Sequence, residues 1–484
     1  MQFRTTFRLL GITLCLLSLS LLSPLIVNLI FHETSDKPFY LAFGCAMSTG
    51  LILWGINYKH HVELKLRDGF FFTILFWFVC SLFFSLPFVS IFKDQFSFTD
   101  AVFECVSGFT GSGGSVIRDL NDLSHAMLFY RQQLQLIGGI GIVVLAVAVI
   151  PLLGVGGMRL YRTETPGPFK ESKWTPHIIQ TVRALWWTYL LIVAMCMLSY
   201  KLAGMTWFDA IGESFATVST GGFSTHNENF AYYKSDCIEY IGSFFMFLGA
   251  VNFGLHFLAI QQRSLMVYLK NSEFLYYLGW AIFSIILITF TLIHYGTLAN
   301  NTHTLAKSVF NIISSMTTTG YVSAPIATWP SYVPMFLMLL SLIGGCAAST
   351  AGGLKILRVL LMLKQSKREL VTLLHPDAVV SIRLDQRSVP NAILQSTWSF
   401  ISVFFLFFLA SMLIFMALGN DFITSFSAII SALCNSGLGL GQVSQSFADL
   451  NDASKWVLIV TMLAGRLEVF ALILFFTRDF WRRS

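Results

Sequence analysis

Four short polar segments of the chain contain residue types that can coordinate a bare cation. Each combines small or hydroxyl-bearing side chains and ends in glycine: Thr110, Gly111, Ser112 and Gly113; Ser219, Thr220, Gly221 and Gly222; Thr317, Thr318, Thr319 and Gly320; and Cys434, Asn435, Ser436 and Gly437. Successive carbonyl oxygens can face one axis only where some residue adopts a conformation that side chains resist, and glycine does so at little cost. One such tetrapeptide is usually a turn, but four around an axis would form a ring of main-chain oxygens that replaces the water around a cation.

The elements that must hold these segments are membrane-spanning helices. The 484 residues are 55% hydrophobic and 12% charged, with a mean hydropathy of +0.70, whereas a soluble chain carries about twice that charged share. Runs long enough to cross a bilayer, about 20 residues, lie at 9–31, 38–57, 69–92, 126–150, 180–203, 237–261, 274–296, 333–363, 396–418 and 454–477. The first run lacks a small-x-small cleavage site, so it is expected to be retained as a helix rather than removed as a signal.

Shorter apolar pieces lead directly into the four polar segments. They lie at 98–109, 207–218, 304–316 and 421–433, and pieces of this length are expected to be re-entrant. Aligning the segments on their last glycines places Asp100 and Asp209 in register, where carboxylates would complement the N-terminal dipole of a short helix; the third and fourth copies have Lys307 and Thr424 there.

The repeating unit is therefore a span, a short helix, a polar segment and a second span. It recurs four times in the same topology, which predicts parallel repeats around a pseudo-fourfold axis along the membrane normal. The expected fold is an all-α polytopic membrane protein with two extra N-terminal helices in residues 1–68. The four pore repeats would be 69–165, 166–270, 271–390 and 391–484.

Charge predicts the orientation of these spans. Most of the 31 Lys and Arg residues fall in the termini and in alternate loops, so the positive-inside rule places both termini in the cytoplasm and the polar segments at the outer side. The outer loops hold more acids than bases, which would attract cations, although ordinary solvated loops explain the same count. The eight cysteines form no C-x-x-C pair, so no disulfide framework or thiolate metal site is indicated.

The span that follows the third polar segment is interrupted by small residues. They are Gly344, Gly345, Cys346, Ala347, Ala348, Ser349, Thr350, Ala351, Gly352 and Gly353. Non-helical backbone at membrane depth is tolerated where protein covers it or where it lines water, so we expect a loop at 344–353 that blocks the ion path and can move aside. A close helix-packing surface is the alternative.

Arg466 is a second anomaly, because a charge inside a span normally faces a pathway or a partner. Glu468 lies two residues further on, which on a helix points to another side, so it is not expected to pair with Arg466. Lys355 is expected to extend to the inner membrane interface. Asn252 and His256 could line a cavity or simply pack. Glu104 could stabilise the first short helix or add negative potential, and His226 is expected near the outer entrance.

The whole chain resembles the membrane subunits of bacterial Trk potassium-uptake systems, within the Trk/Ktr/HKT superfamily. The resemblance rests on residues 103–113, on Gly221-Gly222-Phe223-Ser224-Thr225-His226, on residues 344–355 and on Gly465-Arg466-Leu467-Glu468. It implies that the polar segments are a selectivity filter, and that glycine at 113, 222, 320 and 437 goes with potassium. Gly111, Cys434 and Ser436 depart from the usual filter residues.

The resemblance also implies how passage is controlled. The loop at 344–353 would be an intramembrane gate, with Arg466 facing the pore beside it. The chain would be a homodimer in the bacterial inner membrane and would bind a cytosolic nucleotide-binding regulatory subunit. No Walker-type motif or dinucleotide fingerprint appears in this chain, so no cofactor is expected in it and any nucleotide would bind the partner.

Other functions remain as alternatives. Rubidium or sodium could pass as well as potassium, and a sodium- or proton-coupled cation transporter could share the fold. An organic-solute transporter would predict inverted repeats, and a membrane enzyme would need clustered carboxylates or metal ligands inside the spans. Neither pattern is found in the sequence.

Overall fold

The protein is described by a computed structural model in seven ranges: 2–34, 36–60, 66–92, 96–144, 174–296, 302–385 and 387–482. Within them, one two-stranded antiparallel sheet, β1 (Arg383–Leu384) with β2 (Arg387–Ser388), accompanies the helices. In chain order the helices are α1 (Phe3–Ser18), α2 (Ser23–Phe31), α3 (Lys37–Asn57), α4 (Leu66–Phe84), α5 (Leu86–Ile91), α6 (Phe98–Thr110), α7 (His125–Val144), α8 (Trp174–Leu202), α9 (Trp207–Val218), α10 (Asp236–Gly249), α11 (Phe253–Gln262), α12 (Met266–Leu269), α13 (Ser272–His294), α14 (Thr302–Met316), α15 (Tyr332–Ile343), α16 (Ile356–Leu374), α17 (Asn391–Ala417), α18 (Phe422–Cys434), α19 (Asp452–Arg466), α20 (Val469–Phe476) and α21 (Arg478–Trp481).

Long apolar helices make this a multi-pass membrane protein. In the described ranges, six are long and apolar enough to cross a bilayer: Phe3–Phe31, Lys37–Asn57, Arg67–Ile91, Val182–Leu202, Ser272–His294 and Asn391–Ala417. The first combines α1 and α2 through a 3-10 turn, Leu19–Leu22. It packs closely on α3: a Cβ on Gly11 would lie only 2.6 Å from the carbonyl oxygen of Gly50. Small residues such as these glycines allow helices to approach this closely.

Three predicted spans are broken rather than continuous. The run 237–261 forms α10 and α11, bent by 96°, and the run 454–477 forms α19 and α20, bent by 110°. The run 333–363 forms α15 and α16, separated by the non-helical loop that was predicted at 344–353. Hydropathy summed over a window does not detect a change of direction, so the bends within the runs 237–261 and 454–477 were not predicted.

The fourth predicted span, 126–150, is seen as α7 up to Val144. The remainder of that run, the basic loop after it and the proposed repeat boundary at 165/166 lie outside the described residues.

The four short helices α6, α9, α14 and α18 confirm the predicted short apolar pieces. Ser97 Oγ accepts a hydrogen bond from the backbone N–H of Asp100 (3.2 Å) and Thr206 Oγ1 accepts one from Asp209 (3.0 Å). Both aspartates thus lie in the first helical turn, as predicted, where a negative charge is favourable. Lys307 differs, because α14 begins several residues before it.

Packing brings the two ends of the chain together. One hydrophobic core joins α1–α7 with residues of α17–α20, and a second joins α8–α11 with α13–α15. Helix α19 packs directly against α6. The N-terminal and C-terminal parts of the described chain therefore meet, through α6 and α19.

Candidate functional site

The four polar segments share one backbone conformation. Two residues before the last glycine, the chain is left-handed in every copy, at Gly111 (φ +67°), Thr220 (+52°), Thr318 (+56°) and Asn435 (+51°). The last glycines are also left-handed: Gly113 (+78°), Gly222 (+84°), Gly320 (+84°) and Gly437 (+65°). Gly111 departs from the usual filter residue at the position where a left-handed conformation favours glycine, so this departure fits the geometry.

Each segment leaves its short helix through the same hydrogen bond. The residue before the last glycine donates its N–H to a carbonyl five residues back: Ser112 to Ser107, Gly221 to Ala216 and Thr319 to Ser314, each 2.8 Å, and Ser436 to Ser431, 2.9 Å. This bond, with a left-handed residue before the donor, is the Schellman ending of a helix. It turns the chain sharply at the end of each short helix, so that the segment runs away from the helix axis.

A second contact ties each segment back to its short helix. The backbone N–H three residues after the last glycine donates to a side chain of the helix in all four copies: Val116 to Glu104 (3.0 Å), Thr225 to Glu213 (2.9 Å), Ser323 to Asn311 (3.3 Å) and Leu440 to Ser427 (3.0 Å). Sequence reasoning singled out Glu104 as a residue that stabilises its short helix or adds negative potential, and it anticipated this tie in none of the four copies. Glu213 and Asn311, like Glu104, lie nine residues before the last glycine, which was the available signal, whereas Ser427 lies ten residues before Gly437.

The last glycines form a closed ring in chain order. A Cβ on Gly113 would lie 2.5 Å from the carbonyl oxygen of Gly221, and one on Gly222 would lie 2.0 Å from that of Thr319. Next, a Cβ on Gly320 would lie 2.0 Å from Ser436 O, and one on Gly437 would lie 2.6 Å from Ser112 O. Each glycine therefore contacts the carbonyl that precedes the next glycine, and no side chain fits between them.

In this ring, main-chain oxygens of four segments lie close together, each against the ring glycine of a neighbouring segment. Oxygens in that arrangement can replace the hydration shell of a monovalent cation. The three hydroxyl-bearing residues that precede the ring glycines, Ser112, Thr319 and Ser436, are buried.

The loop at 344–353 lies against the ends of three short helices. Thr350 Oγ1 donates to Val218 O at the end of α9 (3.1 Å), and the N–H of Gly352 donates to Thr318 Oγ1 after α14 (2.7 Å). A Cβ on Gly352 would lie 1.8 Å from the carbonyl oxygen of Cys434, at the end of α18. The loop thus covers the side of the ring from which the short helices approach.

The break between α10 and α11 holds the loop in place. Cys346 N–H donates to Ala250 O (2.8 Å), Thr350 N–H donates to Gly249 O (3.2 Å) and Phe253 N–H donates to Ala348 O (3.2 Å). Backbone groups freed by the bend are satisfied by the loop, which is how non-helical backbone becomes tolerable inside a membrane protein.

Arg466 connects the loop to helix α7. Its Nη1 donates to Thr350 O of the loop (2.9 Å) and its Nη2 donates to Gly138 O of α7 (3.3 Å), while only 4% of the residue is exposed. In the part of the chain that the structure describes, its charge has no carboxylate partner, since Glu468 pairs with Arg358 at 2.9 Å. The expectation that Glu468 does not pair with Arg466 is confirmed.

Several other predicted roles are settled by packing. Lys355 does not extend to the interface: its Nζ turns back to the carbonyl oxygen of Ala351. Asn252 caps α11, with its side chain accepting from Gly254 N (2.8 Å). His256 is buried between Tyr268 OH (2.7 Å) and Leu248 O (2.9 Å), which supports the packing alternative over a cavity lining. His226 stacks on Tyr232 close to Asp209 (3.2 Å).

Known proteins resemble this chain over its whole length. A family model described as TrkH, cation transport protein, matches residues 37–483. The Trk system potassium uptake protein TrkH of Escherichia coli (strain K12) is 43% identical over 100% of both chains, and TrkG of the same organism is 39% identical over 98% of this chain and 97% of its own. The crystal structure of the potassium transporter TrkH from Vibrio parahaemolyticus has a TM-score of 0.93 and 40% identity, over 100% of both chains.

The apolar helices and the oxygen-lined ring define a multi-pass membrane protein of the ion-transporting class. The chain belongs to the TrkH family of cation transport proteins. This confirms the resemblance drawn from the motifs. The family consists of transport proteins and not of enzymes.

Proposed function

We propose that this chain carries potassium into bacterial cells across the inner membrane, through the ring of Gly113, Gly222, Gly320 and Gly437. The observation that carries the proposal is the closed ring, in which each glycine contacts the carbonyl that precedes the next one. Relatives named as potassium uptake proteins support the choice of ion. Rubidium would be carried in the same way as potassium, and sodium would be carried less well.

The architecture behind the ring is four parallel repeats around a pseudo-fourfold axis, preceded by two extra N-terminal helices. Support comes from the matched features of the four copies: two left-handed residues, one Schellman bond and one tie from the short helix to the following backbone. Identical local structure in four places is what repeated units related by rotation require.

Passage is gated by the loop at 344–353 together with Arg466. The loop covers one end of the ring, and its contacts there include hydrogen bonds from the Thr350 hydroxyl to Val218 O and from Arg466 to Thr350 O. A fixed positive charge about 4 Å from the path would repel a cation by about 4 kcal/mol at an effective dielectric of 20. Opening therefore requires both the loop and the guanidinium to move away from the ring.

Both termini lie in the cytoplasm, where a nucleotide-binding regulatory subunit docks on a homodimer of this chain. Support for a docking surface comes from α16 and the hairpin after it, whose basic residues include Lys364, Lys367 and Arg368. Such a cluster also attracts anionic lipid, so binding of the partner must be measured directly.

Rubidium uptake into proteoliposomes, with and without a pH gradient, tests the function. Uptake that needs no pH gradient indicates conduction down the potassium gradient, whereas uptake that requires the gradient indicates the proton-coupled alternative. A sodium requirement would indicate sodium coupling. Equilibrium rubidium binding to the purified chain does not depend on the gate, and its absence together with absent uptake would contradict the proposal.

Gly113→Ser tests the ring. At φ +78° a side chain is strained, and its Cβ would lie 2.5 Å from Gly221 O, so the ring must change shape. We expect the ratio of sodium to potassium uptake to rise about fivefold or more, equal to losing about 1 kcal/mol of preference. Gly204→Ser is the matched control, because Gly204 has φ +108° but no neighbour within 4 Å; unchanged selectivity in Gly113→Ser would count against the ring as the filter.

A further inference from the structure

Side chains of α7, in the first repeat, form hydrogen bonds with the polar segment of the second repeat. On α7, Gln135 Nε2 donates to the carbonyl oxygen of Gly221 (2.7 Å), and Gln135 Oε1 accepts from the N–H of Phe223 (3.2 Å). The side chain therefore spans Gly222, with one hydrogen bond on either side of the ring glycine. Gln135 is completely buried, so water does not compete for these bonds.

Two more side chains of α7 form hydrogen bonds with the residues that follow the same segment. Gln132 Nε2 donates to Phe223 O (2.8 Å), and Arg131 Nη1 donates to Ser224 O (3.3 Å). The guanidinium of Arg131 also lies over the ring of Phe223, 4.2 Å from its centroid. Three side chains of one helix thus fix the backbone from the ring to the residues that follow it.

The four carbonyls of the ring differ in their hydrogen bonds. The carbonyls that meet the ring glycines belong to Ser112, Gly221, Thr319 and Ser436. Of these four carbonyls, only that of Gly221 accepts a hydrogen bond from a side chain of the described residues. A side chain outside the ring therefore holds the Gly221 carbonyl, and no described side chain holds the other three by a hydrogen bond.

Gly221 is a glycine because Gln135 occupies the space of its side chain. A Cβ on Gly221 would lie 2.4 Å from Gln135 Cδ. The backbone does not require glycine there, since Gly221 is not among the residues with positive φ. The other three copies have serine or threonine at this position, so glycine and the buried glutamine form a matched pair.

We infer that Gln135 is a positioning residue that sets the width of the ring and so strengthens its preference for potassium over sodium. The inference rests on the proposed function of the ring. A smaller ion is held well only if the surrounding oxygens move inward, and the resistance of the ring to that movement is one source of selectivity. The Gly221 carbonyl cannot tilt inward without breaking its bond to Gln135.

Gln135→Met tests this, because methionine has a similar length but offers no amide. Sodium and rubidium uptake are measured in competition with potassium in proteoliposomes. The ratio of potassium to sodium uptake is expected to fall about threefold to tenfold, the range that one net hydrogen bond represents. Gln133→Met is the matched control: Gln133 lies on the same helix, is also buried and makes two hydrogen bonds of 2.8 Å, but to Ser20 and Ser23 rather than to the ring.

A second pair of variants covers the case in which Gln135→Met folds poorly. Gly221→Ser alone places a side chain against Gln135, so potassium uptake should be lost. Adding Gln135→Ala should restore potassium uptake, since the second segment then resembles the other three, while selectivity against sodium stays reduced. Non-additivity of this kind is expected of residues in contact.

The outcomes separate the two ideas. If the wild-type chain neither binds rubidium nor takes it up, the proposed function fails. If the wild type selects potassium and Gln135→Met selects it equally well, or Gln133→Met shifts the ratio as much, the inference about Gln135 is overturned and the proposed function stands. Failure of Gln135→Ala to rescue Gly221→Ser would also overturn it.

Discussion

The glycine ring and the loop that covers it are built on opposite principles. The main contacts that shape the ring are repeated in four copies, from the left-handed residues to the tie between short helix and backbone, and the bonds of Gln135 to the second segment are the exception. The loop at 344–353 occurs once in the described chain, and its partners on the short helices α9, α14 and α18 all differ: a carbonyl oxygen, a hydroxyl and a close backbone contact.

If the ring binds the ion and the loop is the gate, as proposed, this difference divides binding from control. Oxygens that surround an ion must be similar on all sides, and repetition provides that similarity. The contacts of the proposed gate occur once each, so a change to one of them leaves the repeated contacts of the ring in place. Changes in the ring should therefore alter whether and which ions pass, whereas changes in the loop should alter how much passes at rest.

The largest effect is expected from Gly222→Ala. Gly222 has φ +84°, and the new Cβ would lie 2.0 Å from Thr319 O, so the substitution forces both strain and a displaced ring carbonyl. Left-handed strain alone costs about 1–3 kcal/mol, and potassium uptake should fall at least about tenfold. The measurement is the initial rate of rubidium uptake in proteoliposomes at matched protein density.

Gly419→Ala separates the two causes in that variant. Gly419 is also left-handed, at φ +97°, but has no neighbour within 4 Å. It should lose some thermal stability and keep its uptake. Equal loss of uptake in both variants would show that general strain, rather than contact around the ring, explains the requirement for glycine.

An intermediate effect is expected from Thr350→Val, which keeps the shape of the side chain. The hydroxyl donates to Val218 O (3.1 Å) and Gly249 O (2.9 Å) and accepts from Thr220 Oγ1 (3.2 Å). Losing a net hydrogen bond of about 1 kcal/mol should favour the open loop, raising resting rubidium flux about fivefold. The ratio of potassium to sodium uptake should not change.

Thr397→Val is the control for the loop variant. Thr397 is equally buried, but its hydroxyl bonds within its own helix, to Ile393 O (2.9 Å). Resting flux should stay at the wild-type value in this variant. A lower resting flux in Thr350→Val, with normal folding, would argue that Thr350 supports the conducting state instead of closing it.

The recurring features of the four polar segments and their short helices were largely predictable from the sequence. Short apolar pieces, a terminal glycine and an acidic residue at matched register are local signals, and Asp100 and Asp209 lie where they were predicted. The loop was also predictable, because its small residues interrupt an apolar run. These features follow from local composition, which one sequence contains in full.

The unrepeated contacts were not predictable, since they depend on residues far apart in the chain. The helix breaks at Leu467 and Glu468, shortly after Gly465, and Glu468 has φ +59° and pairs with Arg358, which is distant in the sequence. Gln135 and Gly221 meet across two repeats, and no local pattern connects them. Tertiary contacts decide both features, so propensity and hydropathy give no signal.

The smallest effect is expected at the outer scaffold of the ring, from Asp421→Ala. Asp421 caps α18, with its side chain accepting from Thr424 N (3.1 Å), and losing such a cap costs about 1 kcal/mol. The melting temperature should fall by a few degrees without a change in resting flux or selectivity. Altered selectivity would mean that the caps, and not only the segments themselves, determine the ring.

The same cap should respond to pH. Hydrogen bonds from the Thr424 side chain and backbone lower the pKa of Asp421 below its usual value, so the ionised carboxylate is the form that stabilises the fold. Its contribution is fully present above the unfolded value of about 3.9 and is lost as pH falls through the lowered folded value. Asp421→Asn caps without titrating. Its melting temperature relative to the wild type should therefore be constant from neutral pH to about pH 5 and should rise only in stronger acid, whereas a difference that changed near neutral pH would assign the titration to another group.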